Sequence, residues 1–469
     1  MRTALVIALL ALPGCALKAP PTHTDTVDQA LPAATKIPAT WHADAADAPV
    51  LDDWLTAFAD PTLTAIVNEA IANNLDLRQA AERVRIAQDT VVVVGARLSP
   101  LVGAQLGARS TRDEDHDTSF NSKIGYASVG WEIDVWGLLR AQRAAAEAGY
   151  QASALEYAWA RQSLAATTAK LWYLTIETRQ LLALAQRSVQ IFQELLSLVE
   201  IRRTAGKDSN LDVVDTRARL ETAQGAVESA QASYDEVRRA LEVLLGRYPA
   251  TEIETAADYP SLAPLPGAGV PSALLERRPD VLGAERDVLA TFRSKEAAEL
   301  ALLPQFTFSF LGGWTDSGAL SHLHLDPWLA SANIGMSIPI YEGGALRAKI
   351  DIATAQQVQA LARYGSVVLQ AFREVEGSLA NEQLLARRAP FDQKALDDRA
   401  EAVRIATIQY KAGRRDLLWV AQLQANELEA SAQVIKLFGA QRANRVRLQQ
   451  ALGGGFDSAP AAAAFPPIE

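Results

Sequence analysis

The feature that most constrains this chain is that it writes itself twice. "EIDVWGLLRA" (132–141) and "SIPIYEGGALRA" (337–348) each pass from an alternating stretch through an aromatic and a glycine into a Leu-Arg-Ala that opens a long polar-apolar run. Asp76 in "NLDLRQA" answers to Asp280 in "RPDVLGA", and Pro100 to Pro304, both at an offset of 204. Gly130 and Gly335 are 205 apart, and Gly206 and Gly413, like Leu245-Gly246 and Leu452-Gly453, are 207 apart. The 469 residues would suffice for two or three ordinary domains. The register instead divides them into one repeat at 61–248, a Pro-rich linker at 249–270 containing "YPSLAPLPGAGVP", and a second repeat at 271–453.

Each repeat has the same expected order. A helix (61–98; 271–303) is followed by two short alternating stretches around a polar loop. A very long helical run (138–203; 345–412), a Gly turn and another helix (210–246; 416–452) complete it. The long runs are rich in Ala, Leu, Gln, Arg and Glu, and the first has no internal proline. At 1.5 Å per residue such a run makes a rod of about 100 Å, far beyond an ordinary globular helix. Laid end to end, the two shorter helices of a repeat match one long rod. Two continuous and two pseudo-continuous rods per chain are expected.

The alternating stretches carry a period of two, the mark of strands with two different faces. Phe306, Phe308 and Phe310 alternate with Thr307 and Ser309; Val129, Trp131, Ile133 and Val135 with Ser128, Gly130, Glu132 and Asp134. Ile334, Met336, Ile338 and Ile340 alternate with Asn333, Gly335, Ser337 and Pro339; Val102, Ala104, Leu106 and Ala108 with Gly103, Gln105, Gly107 and Arg109. A soluble sheet resting on a core would show the same alternation. Here the loops are polar, the lengths approach the 9–11 residues of a membrane strand, and Trp131, Trp136, Trp314, Trp328 and Tyr341 suit an interfacial belt. Glu132, Asp134, Gln105 and Arg109 then become candidates for a barrel lumen. Four strands cannot close a barrel, and an open edge in lipid leaves backbone groups unpaired. Two copies would give eight strands with an interior filled by side chains, whereas three give twelve and a bore. A homotrimer is the smallest assembly that closes the edge and keeps a channel. The quoted corners are where membrane strands turn into rods, with Gly137 and Gly343-Gly344 supplying the turn.

The N-terminus agrees. Arg2, the apolar run from Ala4 to Leu12, and Leu12-Pro13-Gly14-Cys15 describe a signal peptide (1–14) ending in a sequence that resembles a bacterial lipobox. Cys15, the chain's single cysteine, is its expected lipidation site. The run is too short to span a bilayer, and no later stretch reaches 18 apolar residues, so no transmembrane helix is expected. Residues 15–60 read as a lipidated tether, extended over 16–50, and 454–469 as a disordered tail. A net charge of −10 argues against a nucleic-acid partner.

"WLTAFADPTLTAIVNEAIANNLDLRQAAERV", "WEIDVWGLLRAQRAAAEA", "GKDSNLDVVDTRARL", "LLERRPDVLGAERDVLA", "PIYEGGALRAKIDIA" and "YKAGRRDLLWVAQLQANELEA" together resemble the outer-membrane factor family, the TolC-like channels, and within it the lipidated branch typified by NodT. The resemblance spans nearly all of the mature chain. It implies a mainly α fold with a membrane β part: a trimeric 12-stranded β-barrel, four strands per protomer, continuous with a long α-helical barrel and built from two internal structural repeats. It also implies an exit duct for tripartite efflux or type I secretion. Its partners would be a periplasmic adaptor (membrane fusion) protein, an inner-membrane transporter and outer-membrane lipid. The narrow entrance would lie at the turns 204–212 and 411–417, making Lys207, Asp208, Asp212, Arg414, Arg415 and Asp416 gate candidates through ion pairs between rods. Relatives often carry an acidic residue just after the second-turn glycine; this chain has Arg414-Arg415 before Asp416.

Chemistry-bearing motifs are otherwise thin. His322-x-His324 falls in an expected external loop without a third ligand of suitable spacing, and His23, His42 and His116 stand apart. No phosphate loop or nucleophile elbow is present. Neither a catalytic site, a metal nor a cofactor beyond the covalent lipid is expected. The competing readings are a lipid-anchored periplasmic coiled-coil scaffold without a pore, for which alternating strands have no use, and a stand-alone porin, for which long rods have none.

Overall fold

The computed structural model describes residues 17–43, 48, 50, 52–113, 118–317 and 328–455. The expected signal peptide, Cys15, residues 456–469 of the expected tail, His116, His322 and His324 lie outside the described residues. In chain order the helices are α1 (His23–Ala30), α2 (Trp54–Ala57), α3 (Pro61–Asn73) and α4 (Leu75–Gly95), the last followed by a single 3₁₀ turn. Strands β1 (Leu101–Asp113) and β2 (Thr118–Ile133) lead into α5 (Leu138–Thr204) and α6 (Asn210–Leu244). The second repeat supplies α7 (Pro271–Arg277), α8 (Pro279–Leu300), β3 (Gln305–Ser317), β4 (Trp328–Ser337), α9 (Ala345–Lys411) and α10 (Leu417–Ala451). Both α5 and α9 have 67 residues, so each is a rod of about 100 Å. Pro390 sits inside α9 on an exposed face, where the carbonyl it leaves unpaired can meet water. Among the described residues no helix is long and apolar enough to cross a membrane.

The single helices expected over 61–98 and 271–303 are each broken, at equivalent positions. Asn74 ends α3 and caps α4, its side-chain oxygen accepting from the Leu77 N–H (2.9 Å). Its amide nitrogen donates to the carbonyl of Leu244 at the end of α6 (3.1 Å). In the second repeat Pro279 holds Arg278 in an extended conformation, and the Arg278 guanidinium donates to the Ala451 carbonyl at the end of α10 (3.0 Å). Thus α6 abuts α4 and α10 abuts α8, which makes the two jointed rods. Gly246 (φ +71°) and Gly453 (φ +70°) turn the chain away at these butt joints, in a left-handed conformation that costs glycine little. Arg278, 1% exposed, is also paired with Asp280 (2.7 Å) and Glu374 (2.8 Å) and lies 4.6 Å over the Trp159 ring.

The N-terminal segment differs from an extended tether. The capping box of Thr22 and Asp25 launches α1. The segment docks on the second repeat: His23 pairs with Glu285 (3.0 Å), and the backbone N–H groups of His42 and Ala43 donate to Glu376. Trp41 is buried, its indole N–H shared between the carbonyls of Ala268 and Gly269. Burying one indole removes a large apolar area from water, enough to hold a Pro- and Ala-rich segment against the body. Leu17 reaches the top of the rods, packing with Leu138, Ala141, Leu300 and Ala301.

Three apolar clusters stabilise the length of the body. One joins Trp54 and Phe58 of the N-terminal segment to Trp172, Tyr173 and Leu241 of the first repeat; its counterpart joins Trp41 of that segment to Leu274, Tyr364, Val368 and Leu448 of the second. A third, at the far tip, joins Phe192, Val199, Val213, Tyr410 and Leu417.

The four strands form one antiparallel sheet in the order β1-β2-β3-β4. Strands β1, β2 and β3 have 13, 16 and 13 residues and outrun the expected 9–11, whereas β4 has 10. The register sorts side chains by chemistry. Val102, Val129, Phe310 and Ala332 form one cross-strand row; Trp131, Phe308 and Ile334 form another on the same face; Ile133, Phe306 and Met336 form a third. The opposite face carries Gln105, Arg109, Tyr126, Ser128, Glu132, Thr307, Ser309 and Asn333. Strands β1 and β4 are each paired on one side only, which leaves two ladders of backbone donors and acceptors to be met from outside the chain.

Candidate functional site

Two places concentrate polar side chains: the sheet's polar face with the rod tops beneath it, and the turns at the opposite end of the rods.

At the rod tops, Gly137 (φ +90°) and Gly344 (φ +86°) cap α5 and α9, as the repeated corners anticipate. The indole of Trp131 donates to the Leu98 carbonyl (3.0 Å) and that of Trp136 to the Pro304 carbonyl (2.7 Å). Both indoles lock the end of β2 to the ends of the upper rods. Of the lumen candidates, Gln105, Arg109 and Glu132 share the sheet's polar face, with Gln105 accepting from the Tyr126 hydroxyl. Asp134 does not belong with them. It lies beyond the end of β2, and its carboxylate accepts the backbone N–H groups of Leu139 (3.1 Å) and Arg140 (3.0 Å) and the Arg140 side chain. It is an anchor for the first turn of α5, where a negative charge meets unpaired amides. Glu132 pairs with Arg97 (3.2 Å), which also donates to Gln142 (2.9 Å), joining the polar face to a cleft among the upper rods.

At the tip, Gly206 (φ +74°) and Gly413 (φ +76°) reverse the chain between α5 and α6 and between α9 and α10. The charged candidates fall into three groups. Asp212 closes a capping box with Ser209 at the start of α6, and Asp416 caps α10 by accepting the Trp419 N–H (2.9 Å). Lys207, Arg414 and Arg415 are exposed, Arg415 lying 5.2 Å over the Trp419 ring. Asp208 alone among the six is drawn into a contact between the two turns. It accepts a bidentate pair from Arg202 (2.9 and 3.1 Å) and a hydrogen bond from the Tyr410 hydroxyl at the end of α9. Arg202 completes the ring by donating to the Tyr410 carbonyl (3.0 Å) and stacking 4.3 Å over its phenol.

The expected ion pairs between turns are therefore replaced, within one chain, by a salt bridge and a phenol. Arg202 and Tyr410, both missed in the sequence, carry it. Their side chains are not at matching repeat positions: Gly206 answers to Gly413, so Arg202 answers to Gln409 and Tyr410 to Arg203. The residual signal is a pair of arginines one turn before a Gly-Lys-Asp.

Charge states at this cluster are fixed by burial and partners. Burial works to raise the Asp208 carboxyl pKa, but the hydrogen bonds from Arg202 and Tyr410 and the Arg202 charge outweigh it and hold the group below the usual carboxylate value. Burial, reinforced by the hydrogen bond to Asp208, pushes the Tyr410 hydroxyl well above its ordinary value. The pair stays ionised and the phenol stays a donor at neutral pH.

The Outer membrane efflux protein family profile matches residues 66–247 and 270–454. The chain is 32% identical over 441 residues to the pyoverdine export outer membrane protein OpmQ of Pseudomonas putida, covering 90% of this chain and 92% of the relative. It is 27% identical over 383 residues to nodulation protein T of Rhizobium leguminosarum, covering 79% and 81%. Among solved structures, the Campylobacter jejuni CmeC outer membrane channel superposes with a TM-score of 0.82 at 18% identity, covering 96% of this chain and 97% of that one. The Neisseria gonorrhoeae MtrE outer membrane channel superposes with a TM-score of 0.79 at 23% identity, covering 91% and 98%. These likenesses establish the fold of jointed rods under a four-stranded sheet. With the family match over both repeats, the chain belongs to the outer membrane efflux protein family and is an outer-membrane efflux channel.

Proposed function

We propose that three copies close a 12-stranded barrel and continue below it as a helical duct across the periplasm. The duct conducts cargo delivered by an inner-membrane transporter through a periplasmic adaptor. The observation that carries this reading is the sheet itself: two chemically opposite faces and two unpaired edges, set on rods of 67 residues. An even number of antiparallel strands lets β4 of one copy meet β1 of the next in antiparallel register, so identical copies close without a mismatched seam. The apolar face meets lipid, and Gln105, Arg109 and Glu132 face the bore. Cys15 carries the lipid anchor, and Leu17 at the rod tops sets that anchor beside the barrel.

Gating belongs to the tip. The Arg202–Asp208–Tyr410 cluster ties the α5–α6 turn to the α9–α10 turn and keeps the mouth narrow. Adaptor binding that separates the turns would break one pre-organised cluster rather than many scattered contacts. Export takes its energy from the transporter. The test is purification of the full chain in detergent: a heat-modifiable trimer that conducts in planar bilayers supports the channel, and a monomer with no current would leave only a pore-free scaffold.

A further inference from the structure

We propose that the tip turns form an electropositive collar that favours organic anions as cargo. The proposal rests on the channel reading and names the charge class that the duct admits. Around the two turns stand six basic side chains (Arg202, Arg203, Lys207, Lys411, Arg414, Arg415) and three acidic ones (Asp208, Asp212, Asp416), a net of three positive charges per protomer. This is the reverse of the whole chain, whose net charge is −10.

The distribution matters more than the count. Asp208 is withdrawn from solvent, its side chain 8% exposed and covered by Arg202 and Tyr410. Asp212, half-buried, and Asp416, itself exposed, are turned onto helix N-termini by capping hydrogen bonds, where backbone N–H groups meet part of their charge. By contrast Arg203, Lys207, Lys411 and Arg414 are exposed, and among the described residues none has an acidic partner within ion-pair distance. Three protomers bring nine net positive charges around one narrow mouth, where low-dielectric walls focus the field and raise the local concentration of counter-ions. The sheet end of the duct is consistent. A cleft of about 530 Å³ lined by all four upper rods includes Arg97 and Lys349, and Glu132, which reaches Arg97 from the polar face, is already paired with it. A cargo anion would meet exposed cations at the entrance and the exposed Lys349 beneath the barrel, with hydroxyl and amide side chains on the sheet's polar face above.

The experiment uses the full-length trimer in planar bilayers under a potassium chloride gradient, reading the reversal potential. In 0.1 M salt the expected chloride-to-potassium permeability ratio is roughly sevenfold or more, since a mouth potential of one kT raises chloride and lowers potassium by a factor of about 2.7 each. The ratio should fall towards one in the Lys207→Gln/Arg414→Gln/Arg415→Gln channel. It should also shrink in 1 M salt, where the screening length drops to about 3 Å. These positions are exposed turns, so folding is not at issue; Arg203→Gln/Lys411→Gln gives an independent second removal of charge. Potassium preference, or a ratio unchanged by both sets of substitutions, overturns the collar and leaves the channel standing. Unchanged selectivity with lost export in cells overturns it too, and assigns the charges to docking an acidic protein surface. No current from either the wild type or Tyr410→Phe overturns the collar together with the channel on which it rests.

Discussion

Tyr410→Phe is the sharpest perturbation of the proposed gate. It removes one hydroxyl and nothing else: the ring stays buried in the tip cluster and under the Arg202 guanidinium. What is lost is a hydrogen bond from the phenol to an ionised, largely buried carboxylate. Hydrogen bonds to charged groups contribute about 1.5–3 kcal/mol. Taking about 2 kcal/mol, the closed-to-open ratio of one protomer's turns falls roughly thirty-fold. If the turns of the three protomers release together, the effect on the trimer compounds to about 6 kcal/mol. Asp208→Asn should exceed it, because it strands the Arg202 charge, 12% exposed, without its partner. The measurement is open probability and unitary conductance in planar bilayers, with both variants compared against Lys394→Gln, an exposed position of α9 outside the tip turns. Acid gives a further check. The Asp208 carboxyl titrates below its ordinary 3.8 in the folded protein, so its contribution is complete above that value and is lost only as pH falls through the lower folded value. The closed state should persist unchanged from pH 8 to about 5 and loosen only in stronger acid. Currents in Tyr410→Phe and Asp208→Asn indistinguishable from wild type would remove the cluster from gating and leave it a packing feature of the tip.

Two further outcomes test the frame. Arg278→Ala, which leaves Asp280 and Glu374 without their cation at the α8–α10 joint, should cost about 3–5 kcal/mol, read as a lower Tm of the purified trimer, with Arg278→Lys recovering little because the lysine cannot make the forked contacts. In the sheet, a Cβ at Gly313 would lie 2.3 Å from the Gly125 carbonyl oxygen, whereas one at Gly130 meets nothing within 4 Å. Gly313→Ala should therefore abolish the heat-modifiable trimer on gels while Gly130→Ala retains it.

Much of the frame was legible because it rests on local periodicity. The period of two placed Phe306, Phe308 and Phe310 with Val129, Trp131 and Ile133 on the apolar face, and the repeated glycines marked both corners. The strands' outer ends were not, because Arg112, Lys123 and Asp316 interrupt the alternation where the sheet leaves its apolar band. At the inner ends Asp134 and Pro339 continue the pattern in sequence but lie outside the strands. The breaks at Asn74 and Arg278 were hidden for another reason: each is completed by a carbonyl about 170 residues away, at Leu244 and Ala451. The same holds for the tip, where Arg202 finds Tyr410 only after two rods have run side by side. Trp41 falls within the segment expected to be an extended tether, and only its burial against the carbonyls of Ala268 and Gly269 shows what that segment rests on.

The butt joints have a mechanical consequence. A cylinder built only from unbroken staves would pass any torsion at its mouth straight to its rim. Here every second stave is severed at mid-height, held by a few hydrogen bonds from Asn74 or Arg278 rather than by a covalent helix. The lower segments can lean on those pivots while the unbroken neighbours keep the rim circular, so movement at one end need not loosen a barrel whose seams depend on constant curvature.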